Sequence, residues 1–255
     1  MPGPAFDFTD QVVVVTGGSR GVGAGIVAAF LAAGAQVVTC GRREAAPPGA
    51  VFVTADVRQP EEARRVVAAA TDTFGRLDVL VNNAGGSPAV AASDASPRFV
   101  ESIVALNLLA PFFCAQAAHE VMAAQDGGGA IVNIGSVSGL RPSPGTAAYG
   151  AAKAGLINLT ATLAQEWAPA VRVNCVSAGM VLTDAGGDHY GGPEGLAGVA
   201  ATVPLRRMGV PDDVAQAVMF LASPHAAYVT GANLVIHGGG EWPPFLAAAG
   251  GVATP

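Results

Sequence analysis

The sequence predicts an α/β fold: a doubly wound, Rossmann-like parallel sheet of about seven strands in a single domain. Short apolar runs alternate with longer Ala-rich segments of helical spacing, as repeated βαβ units require. Those runs are rich in Val and Ile and lack polar alternation, which marks strands covered on both faces by helices. No Pro/Ser-rich linker, charge block or internal repeat divides the 255 residues, so one domain over 1–255 is expected.

Strand candidates in chain order are 11–17, 35–41, 50–56, 77–85, 129–136, 171–179 and 233–239. Helical spacing falls at 21–33, 60–74, 97–125, 149–168 and 212–222. The remainder reads as irregular: 85–96, 126–129 and a long Gly-rich stretch over 183–209, whose length suggests a flexible substrate lid, followed by a C-terminal tail over 241–255. The lid's distinctive side chains are His189 and Tyr190, which suit a substrate pocket or a solvent-facing loop equally.

Composition narrows the function. A hydrophobic fraction of 51% with 13% charged residues is too apolar for disorder. The net charge of −6 offers no basic field for nucleic acid phosphates or anionic membrane, so neither partner is expected. Cys40, Cys114 and Cys175 are odd in number and far apart, which reads as free thiols in a reducing compartment. The opening "MPGPAFDFTD" lacks a secretory pattern and no apolar run reaches the ~18 residues of a membrane span, so a cytoplasmic protein is expected. The histidines 119, 189, 225 and 237 have no ligand spacing, and no metal site is expected.

The first strand runs directly into "TGGSRGVG", Thr16 to Gly23, which opens a helix. Gly17, Gly21 and Gly23, with Ser19 and Val22 between them, suit a tight turn that brings backbone N–H groups to a pyrophosphate at the positive end of the helix. A simple tight turn is the plain alternative. An acid closing the second strand would select NAD by accepting its ribose hydroxyls. Here the strand closes on Gly41, then Arg42 and Arg43, with Arg20 in the glycine turn, and arginines suit the 2′-phosphate of NADP. Glu44 as the acid for NAD is the alternative. Asp56, closing the third strand, could accept from an adenine amino group or cap a turn. Asn83, Ala84 and Gly85 close the fourth strand, the last permitting close backbone approach.

The chain holds twelve arginines but one lysine, Lys153, four residues after Tyr149 and so on the same helical face. A GC-rich genome explains the arginines and leaves the exception. A phenol of pKa ~10 is a poor acid or base near neutrality, and positive charge beside it would lower that value. Tyr149 then serves as acid in one direction and base in the other, while the ammonium can also reach ribose hydroxyls. Ser136 ends the fifth strand, placed to stabilise developing negative charge on a carbonyl oxygen. Asn107 sits inside an apolar helical run, as a kink holding water or as a satisfied core amide.

Taken together, "TGGSRGVG", "NNAG", Asn107, Ser136 and "YGAAK" resemble the short-chain dehydrogenase/reductase superfamily, in the form of about 250 residues that includes oxoacyl-carrier-protein and tropinone-type reductases, over roughly residues 8–240. The resemblance implies Tyr149 as catalytic acid/base, Ser136 polarising substrate, Lys153 binding ribose and tuning the tyrosine, and Asn107 holding a relay water. It further implies Asp56 and Val57 at adenine, Asn83 lining the cofactor site, and Gly179, Val181 and Thr183 near the carboxamide end. Two departures stand out: Ala178-Gly179 where Pro-Gly is common, and "HGGG" with His237 where "DGG" is common. The implied protein is an NADP-dependent oxidoreductase acting on a carbonyl or secondary alcohol, in a homotetramer. An NAD-dependent dehydrogenase, an enoyl-thioester reductase and a non-catalytic dinucleotide sensor are the rivals.

Overall fold

The computed structural model describes residues 6–43, 47–183, 192–243 and 245. Seven strands form one parallel sheet: β1 (Val12–Thr16), β2 (Gln36–Gly41), β3 (Val51–Thr54), β4 (Val79–Asn82), β5 (Gly129–Ser136), β6 (Val171–Ala178) and β7 (Asn233–Ile236). Their spatial order is β3-β2-β1-β4-β5-β6-β7, so the winding reverses between β1 and β4. Ligands bind doubly wound sheets in the crevice at such a reversal, beyond the carboxyl ends of the strands.

Strand β1 shows why apolar runs without alternation become central strands. Val12 and Val14 pack into one core layer with Leu80, Ile131 and Met122, whereas Val13 and Val15 join the opposite layer with Ile26, Phe30 and Val218. Successive side chains point to opposite faces, so a strand buried on both needs every position apolar. Each buried valine contributes about 1.5–3 kcal/mol against exposure to water. The first layer is closed by α2 (Pro60–Phe74), α4 (Ala110–Met122) and α5 (Ala147–Trp167), the second by α1 (Gly21–Ala32) and α7 (Pro211–Ala222). Phe8 meets Phe30 edge-on at 4.8 Å in the second layer.

The single helix expected over 97–125 is a continuous rod with a defect. α3 (Pro97–Val104) passes through a π-turn at Ala105–Leu109 into α4. Ser96 caps its start by accepting from the Phe99 N–H. At 26 residues and mean hydropathy 1.5, the rod is long and apolar enough to cross a membrane, a property the sequence reading missed by scoring apolar runs alone. Its inner face is built into the core through Ile103, Asn107, Cys114, Ala118 and Met122.

One expectation is corrected. The stretch read as irregular over 183–209 contains a helix, α6 (Gly192–Thr202), begun by Pro193 with Glu194 in the first turn. Its two glycines past the first position hid an otherwise Ala/Val/Leu helix, and none of its residues is buried. His189, Tyr190 and most of the C-terminal tail lie outside the described residues, as does Glu44.

Candidate active site

The glycine turn between β1 and α1 is built so that backbone comes close to backbone. Gly17 and Gly21 adopt φ of +68° and +55°, in the left-handed region. A Cβ on Gly23 would lie 2.3 Å from the Gly17 carbonyl oxygen and 2.4 Å from Asn83 Nδ2, so no side chain fits there. Helix α1 starts at Arg20, whose backbone is extended and whose side chain makes no capping bond. The first N–H groups of α1 thus have no side-chain acceptor, at the helix end where positive potential gathers. A cradle of small residues with donors and no competing anion fits a dinucleotide pyrophosphate.

Two threonines that the sequence reading did not assign hold this turn in place. Thr16 Oγ1 accepts from the N–H groups of both Asn83 and Ala84, each at 3.0 Å. Thr39 Oγ1 accepts from the Gly18 N–H at 3.0 Å and donates to the Val15 carbonyl at 2.7 Å. A hydroxyl inside the apolar run "QVVTC" was the available signal. Asn83 braces the turn: its Nδ2 donates to the Thr16 and Gly17 carbonyls at 2.9 and 3.1 Å. Thr183 faces the turn, its Cγ2 3.4 Å from where a Gly21 Cβ would be. Gly179 packs on His237 so closely that a Cβ would meet the histidine Cβ at 2.7 Å. Val181 pairs with Gly209 in an isolated parallel bridge. Val22 leans on the second core layer, and Ser19 is half-buried in the turn.

At the adenosine end, Arg20, Arg42 and Arg43 are exposed, and none of them takes part in an ion pair among the described residues. Asp56 takes the turn role that the sequence left open. Its carboxylate accepts from Arg58 Nε at 2.9 and 3.1 Å and from the Arg58 N–H at 3.2 Å. Arg58 holds that carboxyl below its ordinary range, with a smaller contribution from the Arg42 charge, which places Arg42 at the same edge. Val57 buries its side chain in the first core layer, which leaves its backbone for a ligand.

Asn107, Ser136, Tyr149 and Lys153 lie around the carboxyl edge of β5. Asn107 is fully buried in the π-turn: Oδ1 accepts from the Gly86 N–H at 2.9 Å, and Nδ2 donates to the carbonyls of Gly86 at 3.0 Å and Ile103 at 2.9 Å. The amide is satisfied, and it sits in a π-turn of the helical run. The π-turn aims the amide across the chain at Gly86, and such turns recur at functional sites. A Cβ on Gly85 would stand 2.8 Å from Asn107 Oδ1 and 3.3 Å from Lys153 Nζ, so this glycine keeps the two polar groups adjacent.

Lys153 is 3% exposed, and its Nζ donates to the Ile134 carbonyl at 2.7 Å. With no carboxylate beside it among the described residues, burial pulls its pKa down to about 8. Its Nζ lies 5.7 Å from the centroid of the Tyr149 ring. The sequence reading had positive charge lowering the Tyr149 pKa. In the protein alone the balance is reversed, because burial of the phenol is the largest influence and raises it, opposed by the Ser136 hydroxyl. Ser136 Oγ accepts from the Ser138 N–H at 3.1 Å. That bond uses the Ser136 oxygen as an acceptor and leaves its own proton available as a donor.

A family model described as enoyl-(acyl carrier protein) reductase matches residues 17–241. The chain is 36% identical over 245 residues to a 3-oxoacyl-[acyl-carrier-protein] reductase of Synechocystis, covering 91% of this chain and 97% of that one. It is 37% identical over 247 residues to an L-fucose dehydrogenase of Bos taurus, covering 92% and 90% respectively. The ligand-free structure of an aldohexose dehydrogenase from Thermoplasma acidophilum superposes with a TM-score of 0.88 at 28% identity, covering 98% of this chain and 99% of that one.

Proposed function

The chain belongs to the short-chain dehydrogenase/reductase superfamily, an oxidoreductase group using nicotinamide dinucleotides, and on that premise we propose that it interconverts a carbonyl and a secondary alcohol with NADP. The observation that carries this reading is the grouping of Ser136, Tyr149 and Lys153 at one strand edge, with the Ser136 hydroxyl beside the phenol and the buried lysine Nζ 5.7 Å from the phenol ring. When bound, the nicotinamide supplies the two-electron chemistry, hydride to or from the substrate carbon.

Gly17, Gly21, Gly23 and the first N–H groups of α1 would hold the pyrophosphate, and Thr183 stands over the same turn. Arg20 and Arg42, exposed and outside any described ion pair, support a 2′-phosphate and hence NADP over NAD. In reduction the Ser136 hydroxyl donates to the carbonyl oxygen, where negative charge develops. Tyr149 passes its phenolic proton to the same oxygen and recovers it in oxidation. Lys153, buried, presents its ammonium to the half-buried phenol.

A donor pair aimed at oxygen favours carbonyl over enoyl reduction. The family description keeps the enoyl thioester as the reading to test against it. NADPH consumption across aliphatic ketones, aldoses, oxoacyl thioesters, quinones and an enoyl thioester separates the two. Tyr149→Phe should lower turnover of the active carbonyl by at least ~10²-fold with NADPH binding nearly intact, and retained turnover would remove Tyr149 from its role. Binding without any turnover would leave a dinucleotide sensor. The three buried thiols and the acidic charge support a cytoplasmic location as part of the same proposal.

A further inference from the structure

On the proposed reading, three segments wall the substrate cleft in front of Ser136 and Tyr149: the β4–α3 connection (86–90), the β5–α5 connection (137–146) and α6 with its exit (192–207). The middle wall joins the two residues proposed to act on the substrate oxygen. It is braced within itself, since Ser143 Oγ donates to Ser138 Oγ at 3.0 Å, meets Thr146 Oγ1 at 2.7 Å, and Leu140 N–H closes a turn on Val137 at 2.9 Å. A segment tied this tightly moves as one piece.

Each wall is tied to the next. The Val90 N–H donates to the Gly145 carbonyl at 2.8 Å, joining the first wall to the second. After β7 the chain runs through Gly238, Gly239 and Gly240, all at positive φ, beneath the exit of α6. A Cβ on Gly238 would lie 2.7 Å from Val203, and one on Gly239 2.8 Å from Pro204, so this passage requires glycine. Two backbone bonds fasten it to the third wall: Leu205 N–H to Gly238 at 3.1 Å and Trp242 N–H to Thr202 at 2.8 Å. The Trp242 indole N–H is buried without a partner among the described residues, so the ring serves as an apolar anchor. From between these fixed points Glu241 reaches back to Arg141 on the middle wall, 100 residues away in sequence. The pair is bidentate, Nε to Oε2 at 3.0 Å with Nη2 on Oε1.

We infer that Arg141 and Glu241 form a latch, a pair of positioning residues that couples the loop carrying the substrate-facing groups to the α6 wall and thereby sets substrate affinity. The inference rests on the proposed reading of this cleft as the substrate site. Of the four links, three are backbone to backbone, so the ion pair is the one through which a side chain sets the spacing. Its side chains are 39% and 28% exposed, so the link is modest in strength and open to salt.

Hydrogen exchange tests the coupling without reference to turnover. Glu241→Gln and Arg141→Gln should each raise exchange by roughly two- to five-fold in both 137–146 and 202–205, while 105–109 keeps its wild-type rates. High salt should reproduce the effect in the wild type and add little in Glu241→Gln. Exchange that rises only beside the substituted residue would overturn the latch, as would salt effects equal in both proteins. Kinetics test the positioning. With acetoacetyl-coenzyme A or L-fucose, whichever the substrate screen turns over, KM should rise by the same factor with kcat and the KM for NADPH held. The reversed pair, Arg141→Glu with Glu241→Arg, should recover part of the loss. A KM unchanged in both single variants would remove the positioning role. If no carbonyl in the whole substrate screen is turned over, it is the reading of function that fails, and the exchange result still decides the latch.

Discussion

Replacing Lys153 by Met should make the protein inactive and, near neutral pH, no less stable. The side chain is 3% exposed, has a carbonyl as its one hydrogen-bond partner, and has a pKa drawn from 10.5 to about 8 by burial. A folded-state pKa below the unfolded one means that the native state binds the proton less well, so the buried charge opposes folding at every pH below the folded value. That shift corresponds to about 3 kcal/mol. Methionine keeps the length and removes the charge, at the cost of leaving the Ile134 carbonyl unpaired, about 1–3 kcal/mol. The variant should therefore stand level with the wild type or up to about 2 kcal/mol above it at pH 7. The sharper readout is the pH dependence. As pH rises through about 8 the wild type sheds its buried proton while the unfolded chain keeps one, so the wild type gains about 2 kcal/mol on the variant between about pH 7 and pH 9.5. Urea midpoints for both proteins, at equal concentration and equal slope, measure that gain. The buried thiols of Cys40 and Cys114, both raised by burial, destabilise the fold at alkaline pH in both proteins and cancel in the difference. The Lys153 charge lowers Cys175, itself raised to about 11, so in the variant Cys175 moves higher and stays protonated in the folded state across this range, as it does in the wild type. A stability difference that stays flat across this range would refute the argument from burial.

Arg42→Asp should weaken NADPH more than NADH by removing a phosphate donor and adding repulsion, and Arg20→Ala should act in the same direction; equal losses in titrations of both cofactors would mean that neither arginine reads the phosphate. For the free enzyme, kcat/KM for reduction should fall as pH rises through about 8, where Lys153 loses its charge, and a pH profile level from 7 to 9 would separate the lysine from proton transfer. The rod over 97–122 and helix α5 present Val100, Leu109, Phe112, Phe113, Leu159 and Trp167 half-buried or exposed, so these helices should pair with their copies in a homo-oligomer, most simply a tetramer; light scattering at low micromolar concentration giving a mass near 25.2 kDa would refute it.

The sheet was legible because its chemistry is one-dimensional. A strand buried on both faces must be apolar throughout, and β5 was bounded to the residue as Gly129–Ser136. Helix α6 was hidden because its glycines look like loop and its surface carries no buried stripe to set a period. Asn107 announced itself as a polar residue in an apolar run. Its π-turn and its partner Gly86, 21 residues upstream, belong to tertiary geometry. Tyr149 and Lys153 were identified by type and spacing, whereas the burial that raises the phenol in the protein without its cofactor is invisible until the surrounding elements are built. Asn83 has a bracing task that only the fold shows, its Nδ2 donating to the Thr16 and Gly17 carbonyls.

Those hidden features share a cause that also says how the site works. At the carboxyl edge of the sheet the chain keeps features that local rules disfavour: a lysine charge without a carboxylate, a buried amide in a π-turn, glycines at positive φ and a helix start without a capping side chain. Three of them are held by a neighbour distant in sequence: Lys153 by Ile134, Asn107 by Gly86 and the glycine turn by Thr39. The two apolar layers provide the stability that these features use. Such strain persists only where the surrounding structure over-determines it. A substitution that loosens one brace, such as Thr39, should therefore disturb the glycine turn without touching the sheet, because the brace acts at the edge where ligand binds and the layers do not depend on it.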